Sequence, residues 1–173
     1  MAVLFVGLST DEPDACEGWA KSNETQFAVI CYSDEKDLHS FTRSISKSFF
    51  SFDNPEKSSA LVSSRVDSIA ERVISILDMY PPNLRFYIYL YPTRKEYEKA
   101  FMGIGALNIF EKVPLSLYLH KNKAIYVSLE NITANIFAHE VAHAVINSYF
   151  PIPPPAAMQE ILAQYVDKHL WDK

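Results

Sequence analysis

The chain has 173 residues, enough for one domain whose core needs no disulfide staples. Apolar residues make up 49% and charged residues 21%, which excludes a disordered chain, a collagen-like chain and a disulfide scaffold. Basic side chains number 16 against 21 acidic, and the net charge of −5 argues against a nucleic-acid backbone as partner.

Ala2–Leu8 and Gln26–Tyr32 read as short buried strands separated by an acidic loop, Thr10–Glu24. Ala2–Leu8 has no preceding base and is too short to span a bilayer. No other stretch approaches the roughly 18 apolar residues of a transmembrane helix. A soluble cytoplasmic protein without a membrane partner is the expectation. Cys16 and Cys31 can pair or stay reduced, and a reducing compartment is the plainer reading.

Ser33 or Asp34 can cap a helix whose apolar stripe is Leu38, Phe41, Ile45, Phe49 and Phe52, ended by Asp53-Asn54-Pro55. Val62, Val66, Ile69, Val73, Ile76 and Tyr80 predict a second helix, stopped by Pro81-Pro82. Leu84–Tyr91 is the clearest strand, with both faces largely covered, and Thr93–Glu96 forms a capping box for a short helix to about Met102. Leu115–His120 and Ala124–Leu129 read as a hairpin around Lys121-Asn122-Lys123. Two helical stretches close the chain, about Ile132–Tyr149 and Ala156–Trp171, parted by the proline-rich run from Phe150 to Pro155. With four glycines in all, the chain has no glycine-rich phosphate loop.

One segment carries chemistry: His139-Glu140-Val141-Ala142-His143. Histidines four apart on a helix lie about 40° apart around the axis and one turn along it, so both imidazoles can reach one metal ion. Glu140 sits one step round, where it can address a water held in the open coordination position of a catalytic zinc. The bland alternative is a pair of satisfied histidines on a buried helix face. A catalytic zinc also needs a third protein ligand. Glu160 is the best candidate, because it lies 17 positions after His143, near the start of a helix that the proline-rich turn can fold back. Asp167 lies on the same helix face but about 10 Å further along, and His169 points the opposite way. Gln164, one turn after Glu160, and Asn135, one turn before His139, are geometric candidates to orient the ligands.

These residues resemble the gluzincin branch of the zinc metallopeptidases, in which HExxH is followed by a turn and a glutamate helix. Gln159–Tyr165 is similar to the glutamate helix of the minigluzincins and peptidase MA-like families, although Ile161 stands where the family usually carries glycine and no tryptophan precedes Glu160. Leu84–Tyr91 with Pro92-Thr93 also looks like the family's central strand-to-helix passage. The resemblance implies an α+β, zincin-like fold: a small twisted mixed β-sheet, a backing helix, an active-site helix and a C-terminal glutamate helix. The resemblance covers roughly Gln26 to Lys173, and with the length it gives one domain over residues 1–173, the sheet in about 1–146 and the glutamate helix in about 147–173.

The expected function is hydrolysis of peptide bonds by a metallopeptidase with one zinc ion, His139, His143 and Glu160 as ligands and Glu140 activating the water. In a zincin the strand preceding the active-site helix can lie at the cleft rim and pair with an extended peptide substrate, a place filled here by Ala124, Ile125, Tyr126 and Val127 onward; the alternative is a hairpin strand with no ligand. Tyr126, Tyr149 and His120 are candidate donors to a developing oxyanion, whereas Tyr165, about 140° from Glu160 around the helix, favours packing over catalysis. The alternative is a catalytically weak zincin-like domain serving as a metal-containing binding or regulatory module. A hydrolase acting on non-peptide amides is a third reading.

Overall fold

The computed structural model describes residues 16–46, 58–104 and 113–172. Among them the strands are β1 (Lys21–Glu24), β2 (Ala28–Tyr32), β3 (Phe86–Tyr91), β4 (Ser116–Leu119) and β5 (Ala124–Ser128). The helices are α1 (Glu35–Ser44), α2 (Ser58–Leu77), α3 (Arg94–Gly103), α4 (Ala134–Tyr149) and α5 (Ala156–His169). The five strands form one mixed sheet in the order β1-β2-β3-β5-β4. β2, β3 and β5 run parallel, while β1 and β4 lie antiparallel at the two edges.

The alternation in β3 sorts the two faces. Phe86, Ile88 and Leu90 point into the larger core, which gathers Leu38 and Phe41 from α1, Val62, Val66 and Val73 from α2, and the apolar stripes of α4 and α5. Tyr87, Tyr89 and Tyr91 point to the opposite face, where Tyr97 and Phe101 of α3 pack with Leu117, Ala124 and Tyr126. Both faces of the central strand are therefore covered, which suits a parallel strand. Phe137 of α4 is fully buried and meets Phe41 edge to face at 5.2 Å, tying the later helix to α1. Phe137→Ala is expected to lower unfolding stability by about 4 kcal/mol through the lost burial and the cavity, read as a reduced urea midpoint.

Several boundaries differ from the sequence reading. The stretch read as an acidic loop ends in β1, whose KSNE sequence has no apolar residue and is exposed along most of its length. Pairing with β2 makes it a strand, and periodicity carries no sign of that. Asp34 caps α1 through a reciprocal pair with Asp37, but this helix stops at Ser44, and Phe49 and Phe52 lie outside the described residues. α2 ends at Leu77, three residues short of the expected stripe, because Asp78 turns the chain into the left-handed region at φ 51°. Tyr80 is consequently exposed rather than part of the stripe. Ala2–Leu8 also lies outside the described residues.

Cys16 and Cys31 are joined in a disulfide, which corrects the reading of reduced thiols. Their 15-residue separation leaves pairing open, whereas folding brings the Cα atoms to 5.5 Å, inside the usual range for the bond. The link holds Trp19 over the tyrosine face, with its ring 5.8 Å from Tyr89 and 5.1 Å from Tyr91. Among the described residues no helix is long and apolar enough to cross a membrane.

β5 is also not at a rim. It is hydrogen-bonded to β3 on one side and β4 on the other, so Ala124, Ile125, Tyr126 and Val127 have no backbone edge to offer a peptide. The outer edge belongs to β4, the first strand of the hairpin. The hairpin turns through a single 3-10 turn, His120–Asn122, and Lys123 in the left-handed conformation at φ 48°. Strand order is a long-range property, and nothing in either strand's composition specifies which one ends outermost.

Candidate metal centre

α4 starts at Thr133, whose hydroxyl accepts from the Ile136 N–H, and its apolar residues decide how it lies. Phe137, Ala138, Val141, Ala142 and Val145 are fully buried against the sheet and α2. That orientation places His139 and His143 on the flank facing α5, with side chains 20% and 18% exposed. Their rings lie 5.1 Å apart.

The proline-rich run then turns the chain back. Pro155 precedes the first turn of α5 and its carbonyl accepts from the Met158 and Gln159 N–H groups. Ala163 and Val166 of α5, with Leu170 directly after it, bury in the same core as the sheet, so the last helix packs as part of one body. This docking leaves Glu160 on the side of α5 that faces α4.

The outcome is a convergence of three donors. Glu160 Oε2 lies 3.5 Å from His139 Nε2 and 3.6 Å from His143 Nε2. One ligand atom from each of the three residues falls within 4.8 Å of the others, and this group can hold a metal ion. The two separations exceed ordinary N–H···O bonds of about 2.7–3.2 Å, so the side chains face one another across a gap. Tetrahedral coordination at zinc bond lengths near 2.0–2.1 Å would set ligand atoms about 3.3 Å apart, close to what is seen. The donors therefore fit a small divalent cation with little movement. Gln164 Nε2 donates to Glu160 Oε1 at 3.0 Å, which holds the carboxylate with its other oxygen towards the histidines. Burial, followed by the neighbouring His139, lowers the His143 pKa, with Glu160 and a hydrogen bond involving Gln159 acting in the opposite sense. A neutral ring is the form that ligates.

Glu140 points elsewhere. Its side chain passes towards the sheet edge, where Oε2 accepts from the Tyr118 N–H of β4 at 2.6 Å. Only 8% exposed, its carboxyl is pushed up to about 7 by burial, with the Tyr118 N–H pulling down and the Glu160 charge pushing up. Glu140 thus follows His139 directly in α4 but turns its Oε2 to β4, and it is not one of the three converging donors.

Asn135 does not orient a histidine. Its Nδ2 donates to the Asp167 carbonyl at 2.7 Å and its Oδ1 accepts from Trp171 Nε1 at 3.1 Å, so it clamps the start of α4 to the end of α5. Both polar ends of the carboxamide are thereby used, one on α5 and one on Trp171 just beyond it. Tyr126 lies on the far face of the sheet and its hydroxyl accepts from Asn122 Nδ2. Tyr165 is half exposed with its ring against His169, Tyr149 packs on Phe150, and His120 is exposed beyond β4.

Two residues near the site were not singled out by sequence. Asn147 Nδ2 donates to the His143 carbonyl and to Gln159 Oε1, each at 2.7 Å, and Gln159 Nε2 donates to the Pro154 carbonyl at 2.8 Å. Their signals were weak: Asn147 is one turn after His143 and Gln159 directly precedes Glu160. Polar residues are common at such positions, and only the docking of α5 on α4 joins them.

Fold and site together define the class: a mixed α+β protein with a five-stranded sheet and a His-His-Glu group able to hold a metal ion. No protein family, curated protein or solved structure matches the chain.

Proposed function

We propose that the protein is a zinc-dependent metallopeptidase with a zincin-like arrangement: α4 as active-site helix, α5 as glutamate helix and α2 as backing helix. The observation that carries this reading is the approach of Glu160 Oε2 to both imidazole Nε2 atoms, 3.5 and 3.6 Å away, from a separate helix. Two imidazoles and one carboxylate are a donor set of hydrolytic zinc sites that leave a position open. A zinc ion held there supplies Lewis-acid chemistry, acidifying water and polarising a carbonyl.

The chain's own groups account for the remaining work. His139, His143 and Glu160 hold the ion, and Gln164 steadies Glu160. Glu140 accepts a proton at its carboxylate from the attacking water and returns it to the leaving amine. A carboxyl titrating at about 7 is well matched to both transfers at neutral pH. The outer edge of β4 supplies the place for an extended peptide to add as a further strand, replacing β5 in that role, at backbone groups other than the Tyr118 N–H that Glu140 Oε2 holds.

The test combines elemental analysis of the purified protein with cleavage of a peptide library, with and without a chelator. One zinc per chain and chelator-sensitive cleavage are expected. A second reading, a zinc-containing binding or regulatory module, draws support from the engagement of Glu140 Oε2 by the Tyr118 N–H. Stoichiometric zinc without cleavage would favour it, and absence of metal would defeat both.

A further inference from the structure

We propose that Asn135 and Asn147 are positioning residues for the metal centre: a two-point clamp that fixes α5 along α4 and so sets the reach of Glu160 to His139 and His143. This rests on the reading of those last three residues as metal ligands.

Asn135, His139, His143 and Asn147 follow one another at steps of four along α4. Residues so spaced form one ridge that winds round a helix by about 40° per step, and neighbouring helices pack along such ridges. All four are half-buried. The inner pair faces Glu160, and the outer pair bonds α5 or the residue just past its end. The partners run in the opposite order, from Gln159 through Glu160 to Asp167 and Trp171. The two carboxamides therefore hold α5 on both sides of the carboxylate that meets the histidines.

Obligate partners fix the orientation of each amide. Asn147 Nδ2 donates to the His143 carbonyl and to Gln159 Oε1, each at 2.7 Å, while Gln159 Nε2 donates to the Pro154 carbonyl at 2.8 Å. A carbonyl can only accept, so the nitrogen end of each amide is settled. At the other end Asn135 Nδ2 donates to the Asp167 carbonyl at 2.7 Å, and its Oδ1 accepts from the indole N–H of Trp171 at 3.1 Å. The first clamp thus joins α4 to the proline-rich turn and to the residue directly before Glu160.

Glu160 depends on that placement. Its side chain is 48% exposed, and Gln164, which bonds its carboxylate, rides on the same helix. The carboxylate therefore goes where α5 goes. Metal–ligand distances hold within about 0.2 Å. Burial of Ala163 and Val166 is non-directional and resists sliding along α4 far less than directed hydrogen bonds do.

The experiment is Co²⁺ titration of the full chain, followed by visible absorption. Affinity should be about 10- to 100-fold weaker in Asn147→Leu. A smaller loss is expected in Asn135→Leu, because Arg72 Nε of α2 also holds that end, through the Leu170 carbonyl at 3.1 Å. Circular dichroism establishes that each variant is folded. In a Glu160→Ala background, titrated at higher Co²⁺, neither substitution should add a further loss, since a clamp acting through Glu160 has nothing left to place. General damage to helix packing would weaken the remaining histidine pair as well. If Asn147→Leu does not fold, Gln159→Leu removes the same contact from the α5 side; if Asn135→Leu does not fold, Trp171→Phe removes one of its two bonds. Wild-type affinity in the folded variant at either end, or an equal loss with and without Glu160, would overturn the clamp while leaving the metal centre intact. A wild-type chain that binds no Co²⁺ would defeat the metal reading and the clamp with it.

Discussion

Glu140→Gln is expected to abolish most hydrolysis and at the same time to stabilise the metal-free protein above neutral pH. Activity should fall by about 10²- to 10⁴-fold, the usual contribution of a positioned proton carrier, with zinc content unchanged. The stability effect follows from burial. In the folded chain the carboxyl titrates at about 7, against an ordinary value of 4.5, so the neutral form is the one the fold favours. The folded state therefore holds a proton between these two values that the unfolded state has released, and stability falls as pH rises through this window. At about 1.4 kcal/mol per pH unit, the loss is about 3 kcal/mol once pH exceeds 7. Glutamine is uncharged throughout and retains an oxygen for the Tyr118 N–H. Chemical denaturation in the presence of chelator should give matching stabilities at pH 4, and at pH 8 a variant more stable by about 3 kcal/mol. Parallel stability–pH curves for the two proteins would show that Glu140 is not desolvated. Undiminished cleavage would remove it from the proton-transfer role.

His139→Ala and Glu160→Ala should each weaken zinc binding by more than about 100-fold, beyond the range seen when only a supporting residue is lost. The observable is thermal unfolding with and without the ion. Zinc at 100 times its dissociation constant stabilises a folded protein by about 2.7 kcal/mol, and neither variant should show that increment. Glu160 has a side chain 48% exposed, so its removal should leave the metal-free protein close to wild type in stability. This separates ligand loss from misfolding. A Glu160→Ala protein that keeps wild-type zinc affinity would break the three-donor assignment and leave the histidines as a pair on one helix.

The elements most legible in sequence are those defined by local rules. α4 and α5 fall within two residues of their expected limits, because Thr133 caps the first and the proline run separates the two. β3 is legible from its strict alternation, and α3 from Thr93, which accepts from the Glu96 N–H. The spacing of His139 and His143 follows from helix geometry alone. Glu160 is legible as well, since a proline-rich turn between two helices folds the second back on the first. Gln164 does meet Glu160, whereas Asn135 is one turn from His139 and yet bonds to α5. One-turn spacing makes two side chains neighbours without deciding which neighbour is used.

What the amino-acid sequence determined by itself is local: which segments are helical or extended, and that two imidazoles share one helix face next to a carboxylate. Tertiary structure alone decided that β4 rather than β5 is outermost, that KSNE forms a strand, that Cys16 meets Cys31, and that Asn147 of α4 bonds Gln159 of α5. Each of these depends on contacts between residues far apart in the chain or on separate elements. Helix periodicity and capping act over three or four residues, while strand order and side-chain partners emerge only when the apolar stripes of several elements are buried together.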